Sequence, residues 1–172
     1  MSLPELKIRF CGDPCLRKKC APVKEVGPGV RAVMQSMINA MRQAKGVGLA
    51  APQVGIMERF FVLDVGDGPM VIVNPRITKR LGMVVLEEGC LSIPEVTISV
   101  NRPEKIVVQY MDENNCMMKM ACDGLLARVI QHETDHLNGK LIVDYASADE
   151  KKKYLEKLKE FEEKYKKENS GG

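Results

Sequence analysis

Histidine is almost absent from this sequence. Of 172 residues only His132 and His136 are histidines, so a metal centre built on three imidazoles is excluded. Long apolar runs are also missing. None approaches the ~20 residues of a membrane span, and Met1 to Phe10 lacks the apolar segment of a secretory signal. The expected compartment is therefore the cytoplasm or a cytoplasm-like matrix. Charge of one sign is scarce: a net charge of +3 does not call for nucleic acid, and many basic residues near the C-terminus alternate with acids. Cys11, Cys15 and Cys20 are loosely spaced with no C-x2-C pair, which argues against a structural zinc site there. Without export, all six cysteines are expected to be reduced. No G-x-G-x-x-G or Walker lysine is completed, and neither a repeat nor a linker divides the chain. One domain over residues 1–172 is expected. Its composition is ordinary for a soluble protein, 45% hydrophobic and 28% charged, and its length suffices to bury most of its apolar surface.

Strong patterns fill this frame. Residues 9–20 read as an extended arm broken at Gly12-Asp13-Pro14. After Gly27-Pro28-Gly29, the three- and four-residue steps of Val30, Val33, Met34, Met37, Ile38 and Met41 predict a core-facing helix ending at Gly46. The small, apolar segment Gly46-Val47-Gly48-Leu49-Ala50-Ala51-Pro52-Gln53-Val54-Gly55 has two readings. It is either a tight turn with close-packed alanines or a loop whose backbone approaches a ligand, with Gln53 as its one polar side chain. β-rich runs follow at 60–65, 71–73 and 84–86, then Val96, Ile98 and Val100 in alternation, then 106–110 and 117–122. Leu125, Leu126, Val129, Ile130, Glu133 and Leu137 mark one face of a helix, with Asp123 as N-cap and Gly139 as its stop. Ser147 and Glu150 form a capping box for a last helix over 147–168, docked by Tyr154, Leu155, Leu158, Phe161 and Tyr165. Residues 169–172 are expected to fray. Strands followed by helices favour α+β: antiparallel strands around a central metal-binding helix, with an N-terminal and a long C-terminal helix.

Both histidines fall in His132-Glu133-Thr134-Asp135-His136. The spacing i, i+4 sets two imidazoles on one helical face, where they can share a divalent metal, with Glu133 close by as general base. An open catalytic site needs a third ligand. With histidine exhausted, the candidates are cysteines and carboxylates. Cys90 is the best placed, after Gly89 in a loop bounded by strands, and the upstream Glu87-Glu88 disfavours a bare thiolate there. Asp144, Asp149 and Glu150 keep open a protease-type arrangement with a downstream acid. A closed structural Cys/His site stays open too, but it leaves Glu133 without a role.

Three segments in this order, Gly46-Val47-Gly48-Leu49-Ala50-Ala51-Pro52-Gln53, Glu88-Gly89-Cys90-Leu91-Ser92 and Gln131-His132-Glu133-Thr134-Asp135-His136, resemble the motifs of peptide deformylase. The resemblance covers nearly the whole chain, including the long C-terminal helix of the bacterial type 1 branch. It implies that Cys90, His132 and His136 bind one divalent metal, Fe²⁺ as the native ion with Zn²⁺, Ni²⁺ or Co²⁺ as alternatives. Glu133 is then the acid/base, and Gln53 and the Leu91 N–H form the oxyanion hole. The implied partners are nascent N-formylmethionyl peptides met near the ribosome, with neither membrane nor nucleic acid required. Val47, Leu86, Leu125 and Val129 would wall a pocket for the methionine side chain. The backbone at Gly46 to Gly48 and at Gly89 would pair with the peptide as an added strand. Two departures from the pattern, Lys45 where an acid is frequent and Val96-Thr97 where an arginine is frequent, alter the charge of the cleft rim and leave the chemistry.

Overall fold

The computed structural model describes residues 4–169. Among them the order is α1 (Pro28–Gln43), β1 (Gly48–Ala50), β2 (Phe60–Leu63), β3 (Met70–Leu81), β4 (Val84–Cys90), β5 (Ile93–Arg102), β6 (Lys105–Met111), β7 (Met117–Asp123), α2 (Gly124–Leu137) and α3 (Ala148–Asn169). Five strands form an antiparallel sheet in the order β1-β2-β3-β6-β7, and β4 and β5 form a separate hairpin. This is the expected α+β arrangement. No described helix is long and apolar enough to cross a membrane.

The sheet lies between two helices because β2 is apolar at every position. Phe60 and Val62 join Met34, Met37, Ile38 and Met41 of α1 in one core. Phe61 and Leu63, pointing the opposite way, join Ala127, Val129, Ile130 and Leu137 of α2 in another. Helix α2 is consequently buried on most sides, which places its histidines inside the molecule. Asp123 stands at its N-cap, as expected, but its side chain makes no capping hydrogen bond; the chain turns instead on left-handed Gly124 (φ 55°). The other end behaves as its sequence predicts, with Gly139 left-handed (φ 73°) just beyond Asn138.

A third core joins Ile93, Val96, Ile98 and Val100 of β5 to Leu141, Ile142 and Val143 and to Tyr154, Leu158 and Phe161 of α3. The capping box forms: Glu150 N–H donates to Ser147 Oγ (3.2 Å), and Ser147 N–H donates to Glu150 Oε2 (2.8 Å). Glu150 Oε1 also accepts the Ser99 N–H at 2.8 Å, tying α3 to β5. Leu155 departs from the predicted stripe and is exposed. Asn169 closes α3; residues 170–172 of the tail expected to fray lie outside the described residues.

Three expectations need revision. The runs at 71–73 and 84–86 extend into β3 and β4, whose added residues are mostly exposed and gain their order from cross-strand pairing rather than burial. The small-residue segment at 46–55 is not a simple turn: Gly48–Ala50 is a buried strand on β2, followed by a 3-10 turn at Ala51–Val54. The arm at 9–20 contains a 3-10 turn, Pro14–Arg17, opened by Asp13, whose carboxylate accepts the Cys15 N–H at 2.9 Å.

Candidate metal centre and active site

His132 and His136 lie one turn apart on α2, with ring centroids 5.0 Å apart and planes inclined by 64°. Their Nε2 atoms are separated by 3.2 Å, and Cys90 Sγ lies 3.3 Å from His136 Nε2. All three donor atoms fall within 4.8 Å of one another, the only such cluster of three among the described residues. Ligands at ~2.0–2.3 Å from a tetrahedral ion stand about 3.3–3.6 Å apart, so this spacing suits one shared ion. The donor set of a sulfur and two imidazoles suits Zn²⁺ and its first-row neighbours. His136 is 1% exposed; burial and the neighbouring His132 hold its pKa well below the usual value, which favours the neutral, ligating ring.

Cys90 is the last residue of β4 rather than part of a loop. The β4–β5 register slips between Glu88 and Cys90, and Leu91-Ser92 turn the chain into β5. Glu88 does not face Cys90 as a bare charge. Its carboxylate meets His132 Nδ1 at 2.9 Å, Arg102 Nε and Nη2 at 2.7 and 3.0 Å, and Arg128 Nη1 at 2.9 Å. Burial pushes the Glu88 carboxyl up, but hydrogen bonds from His132 and Arg102 and the Arg102 charge outweigh it and hold the pKa at about 2. With Nδ1 committed to this carboxylate, His132 turns Nε2 toward Cys90 and His136.

Glu133 is 4% exposed. Its Oε2 has no hydrogen-bond partner among the described residues. Desolvation is the main cause that raises its pKa to about 7, with nearby His132 opposing. Such a carboxyl is poised to exchange protons near neutrality. Space for it comes from Gly48, where a Cβ would overlap Glu133 Oε1 and lie 2.9 Å from Val129 Cγ1. At Gly46 a Cβ would come within 2.6 Å of Leu91 Cδ1. Gln53 is 1% exposed and fixed at both ends: its Oε1 accepts the Ala50 N–H (2.8 Å), while Nε2 donates to Ser92 Oγ (3.0 Å) and faces Cys90 Sγ (3.6 Å).

These groups line a cleft of about 390 Å³, with Gly46 to Gly48 on one wall, Glu87 to Leu91 on the other, and α2 as its floor. Leu125 and Val129 are part of that lining, as expected, Val129 buried and Leu125 exposed at the mouth. Leu86 is not: it is exposed and outside the lining. Arg128 takes that side, reaching from α2 to the Val84 carbonyl at 2.8 Å. Lys45 stands on the rim with a left-handed backbone (φ 56°), whereas Val96 is buried in the β5 core and Thr97 lies outside the lining. Both lining walls end in strands that have a neighbour on one side only, β1 on β2 and β4 on β5.

The downstream acids do not approach the centre. Asp144 pairs with Arg17 (2.7 Å), Glu150 caps α3, and exposed Asp149 lies in its first turn. All six cysteines are free thiols, with Cys11, Cys15 and Cys20 in the outer cores. Sequence reasoning missed Glu88, Ser92, Arg102, Arg128, Asp135 and Tyr145 as supporting residues. One signal was available: Arg102 occupies the next inward position after Val96, Ile98 and Val100.

Comparison with known proteins agrees with this geometry. A family model described as polypeptide deformylase matches residues 5–152. The chain is similar to peptide deformylase of Treponema pallidum, 48% identical over 81% of this chain and 86% of the relative. It is similar to that of Thermotoga maritima as well, 46% identical over 82% and 87%. A solved Synechococcus elongatus peptide deformylase in complex with actinonin superposes with a TM-score of 0.85 at 39% identity, covering 91% of this chain and 90% of that one.

Proposed function

This chain belongs to the polypeptide deformylase family, and from that premise we infer how its cleft carries out the reaction: hydrolysis of the N-formyl group from the formylmethionine that begins a nascent polypeptide, with release of formate. The observation that carries the reading is the meeting of Cys90, His132 and His136 beside the buried, proton-exchanging Glu133.

Cys90, His132 and His136 are the residues that would hold one divalent ion, Fe²⁺ as our first choice and Zn²⁺, Ni²⁺ or Co²⁺ as compatible alternatives. When bound, such an ion supplies Lewis-acid polarisation and acidifies water. Glu133 accepts the proton of the attacking water and hands it to the departing amide nitrogen, which would otherwise be a poor leaving group. Gln53, its carbonyl end anchored by Ala50, presents Nε2 toward the oxygen on which negative charge gathers, and the Leu91 N–H is the second donor. Preorganisation of Gln53 by Ala50 and Ser92 means that little has to rearrange as charge develops. Val47, Leu125 and Val129 receive the methionine side chain. The open edges at Gly46 to Gly48 and at Gly89 pair with the peptide backbone. We place the reaction in the cytoplasm, on chains leaving the ribosome.

Mass spectrometry of metal-loaded protein incubated with a formyl-Met peptide and an ordinary internal peptide tests this reading. Loss of the formyl group alone is expected. Internal cleavage would indicate an endoprotease, and no change in either peptide would indicate a structural metal site.

A further inference from the structure

A line of side chains runs from His132 to the protein surface. His132 Nδ1 lies 2.9 Å from Glu88 Oε2. Arg102 grips that carboxylate with Nε and Nη2 at 2.7 and 3.0 Å, and turns its remaining nitrogen, Nη1, to Asp135 Oδ2 at 2.7 Å. The Tyr145 hydroxyl donates to the same Asp135 oxygen at 2.7 Å, and the Arg102 guanidinium lies 5.0 Å over the Tyr145 ring. Glu88 and Arg102 are buried; Tyr145 reaches solvent. Arg102, Asp135 and Tyr145 lie outside the cleft lining.

The connectivity joins parts of the fold that the metal centre needs in register. Glu88 and Arg102 face each other from β4 and β5, two residues before Cys90 and at the end of the hairpin. His132 and Asp135 lie three residues apart on α2, so Arg102 spans one helical turn between them. Tyr145 closes the 3-10 turn Ile142–Tyr145 that follows α2. A planar guanidinium that contacts two carboxylates fixes the orientation of both, which a lysine ammonium cannot do. A histidine ligand whose second nitrogen is oriented in this way holds its tautomer and ring plane.

We propose that Arg102, Asp135 and Tyr145 are positioning residues for the metal centre, holding the Glu88 carboxylate in the one orientation that presents His132 Nε2 as a ligand. The proposal rests on the reading of His132 as a metal ligand. Tyr145 is its outermost member and the most informative. Tyr145→Phe keeps the ring over Arg102 and removes only the hydroxyl that fixes Asp135.

The test uses the full chain loaded with Co²⁺, whose visible absorption reports ligand arrangement. Loss of such outer partners typically costs about 10–100-fold in metal affinity. Tyr145→Phe is expected to speed cobalt release to a chelator by about 10-fold and Arg102→Lys by about 100-fold, each with an altered cobalt spectrum. In turnover, kcat should fall with KM nearly unchanged, because neither side chain lines the cleft. Should Arg102→Lys fail to fold, Asp135→Asn supplies the second variant. Wild-type spectra and release rates in both variants, alongside lowered stability to urea, would mean the residues are merely structural and would overturn the proposal. His132→Ala is the control for the underlying reading: if it retains its metal, that reading fails and not the relay alone.

Discussion

A single methyl group added at Gly48 tests the placement of Glu133 without altering a catalytic group. A Cβ there would overlap Glu133 Oε1 and stand 2.9 Å from Glu133 Cδ and from Val129 Cγ1. Carbon atoms in comfortable contact are about 3.5–4.0 Å apart, so both side chains would have to retreat by about 0.6 Å or more. Neither has room. Glu133 is 4% and Val129 5% exposed, and a valine side chain on a helix has one strongly preferred rotamer. Overpacking of this kind costs about 1–3 kcal/mol of stability, and a ~1 Å displacement of a reacting group costs about 10²-fold in rate. Gly48→Ala should therefore lower kcat about 100-fold and stability to urea by about 1–3 kcal/mol, with metal content intact. Initial rates on a formyl-Met peptide, elemental analysis and urea unfolding measure the three quantities. Wild-type kcat in the folded variant, or a change confined to KM, would refute the inference that Gly48 makes room for the acid/base.

Glu133→Gln should keep the metal and lose about 10²–10⁴-fold in turnover, because the amide preserves shape but cannot carry the proton; near-normal rates in metal-replete protein would remove Glu133 from that role. Cys90→Ala should lose metal and activity together, whereas serine at Cys11, Cys15 or Cys20 should leave elemental analysis unchanged. Glu150, whose carboxyl is held at about 2 chiefly by the backbone N–H groups of Ser99 and Ser147, adds stability that is present above the ordinary carboxyl pKa of about 4.3 and is lost as pH falls toward its folded value. Urea unfolding of wild type and Glu150→Gln should thus differ near neutrality and converge in acid; a gap that persists or widens in acid would show that the cap is not titrating.

Much of the fold and the core of the site was legible in the sequence because those features are local. The methionine stripe of α1, the stop at Gly139 and the Ser147–Glu150 box each depend on residues within a turn or two. The pair His132 and His136 is likewise set by helical spacing alone. The far half of β3 and most of β4 escaped notice because they bury no face and so show no alternation. The ring of support around His132 escaped for a different reason. Glu88 and Arg102 are 14 residues apart, and Glu88 and Arg128 are 40, so only the folded hairpin and α2 bring them together. Leu86 was misplaced through the same blindness, since nothing local in the sequence shows that Arg128 claims its side of the cleft.

The two strand edges that flank the cleft bear on which proteins such an enzyme can serve. A ligand gripped through its main chain is identified by its amide groups, which every polypeptide shares, and only the first side chain enters a shaped pocket. Selectivity then resides almost wholly at the first residue, and tolerance of everything after it follows without any further device. The exception lies in the main chain itself. Proline has no amide hydrogen to offer, so a proline soon after the methionine would forfeit one rung of that ladder, and starting sequences of this kind would be processed last.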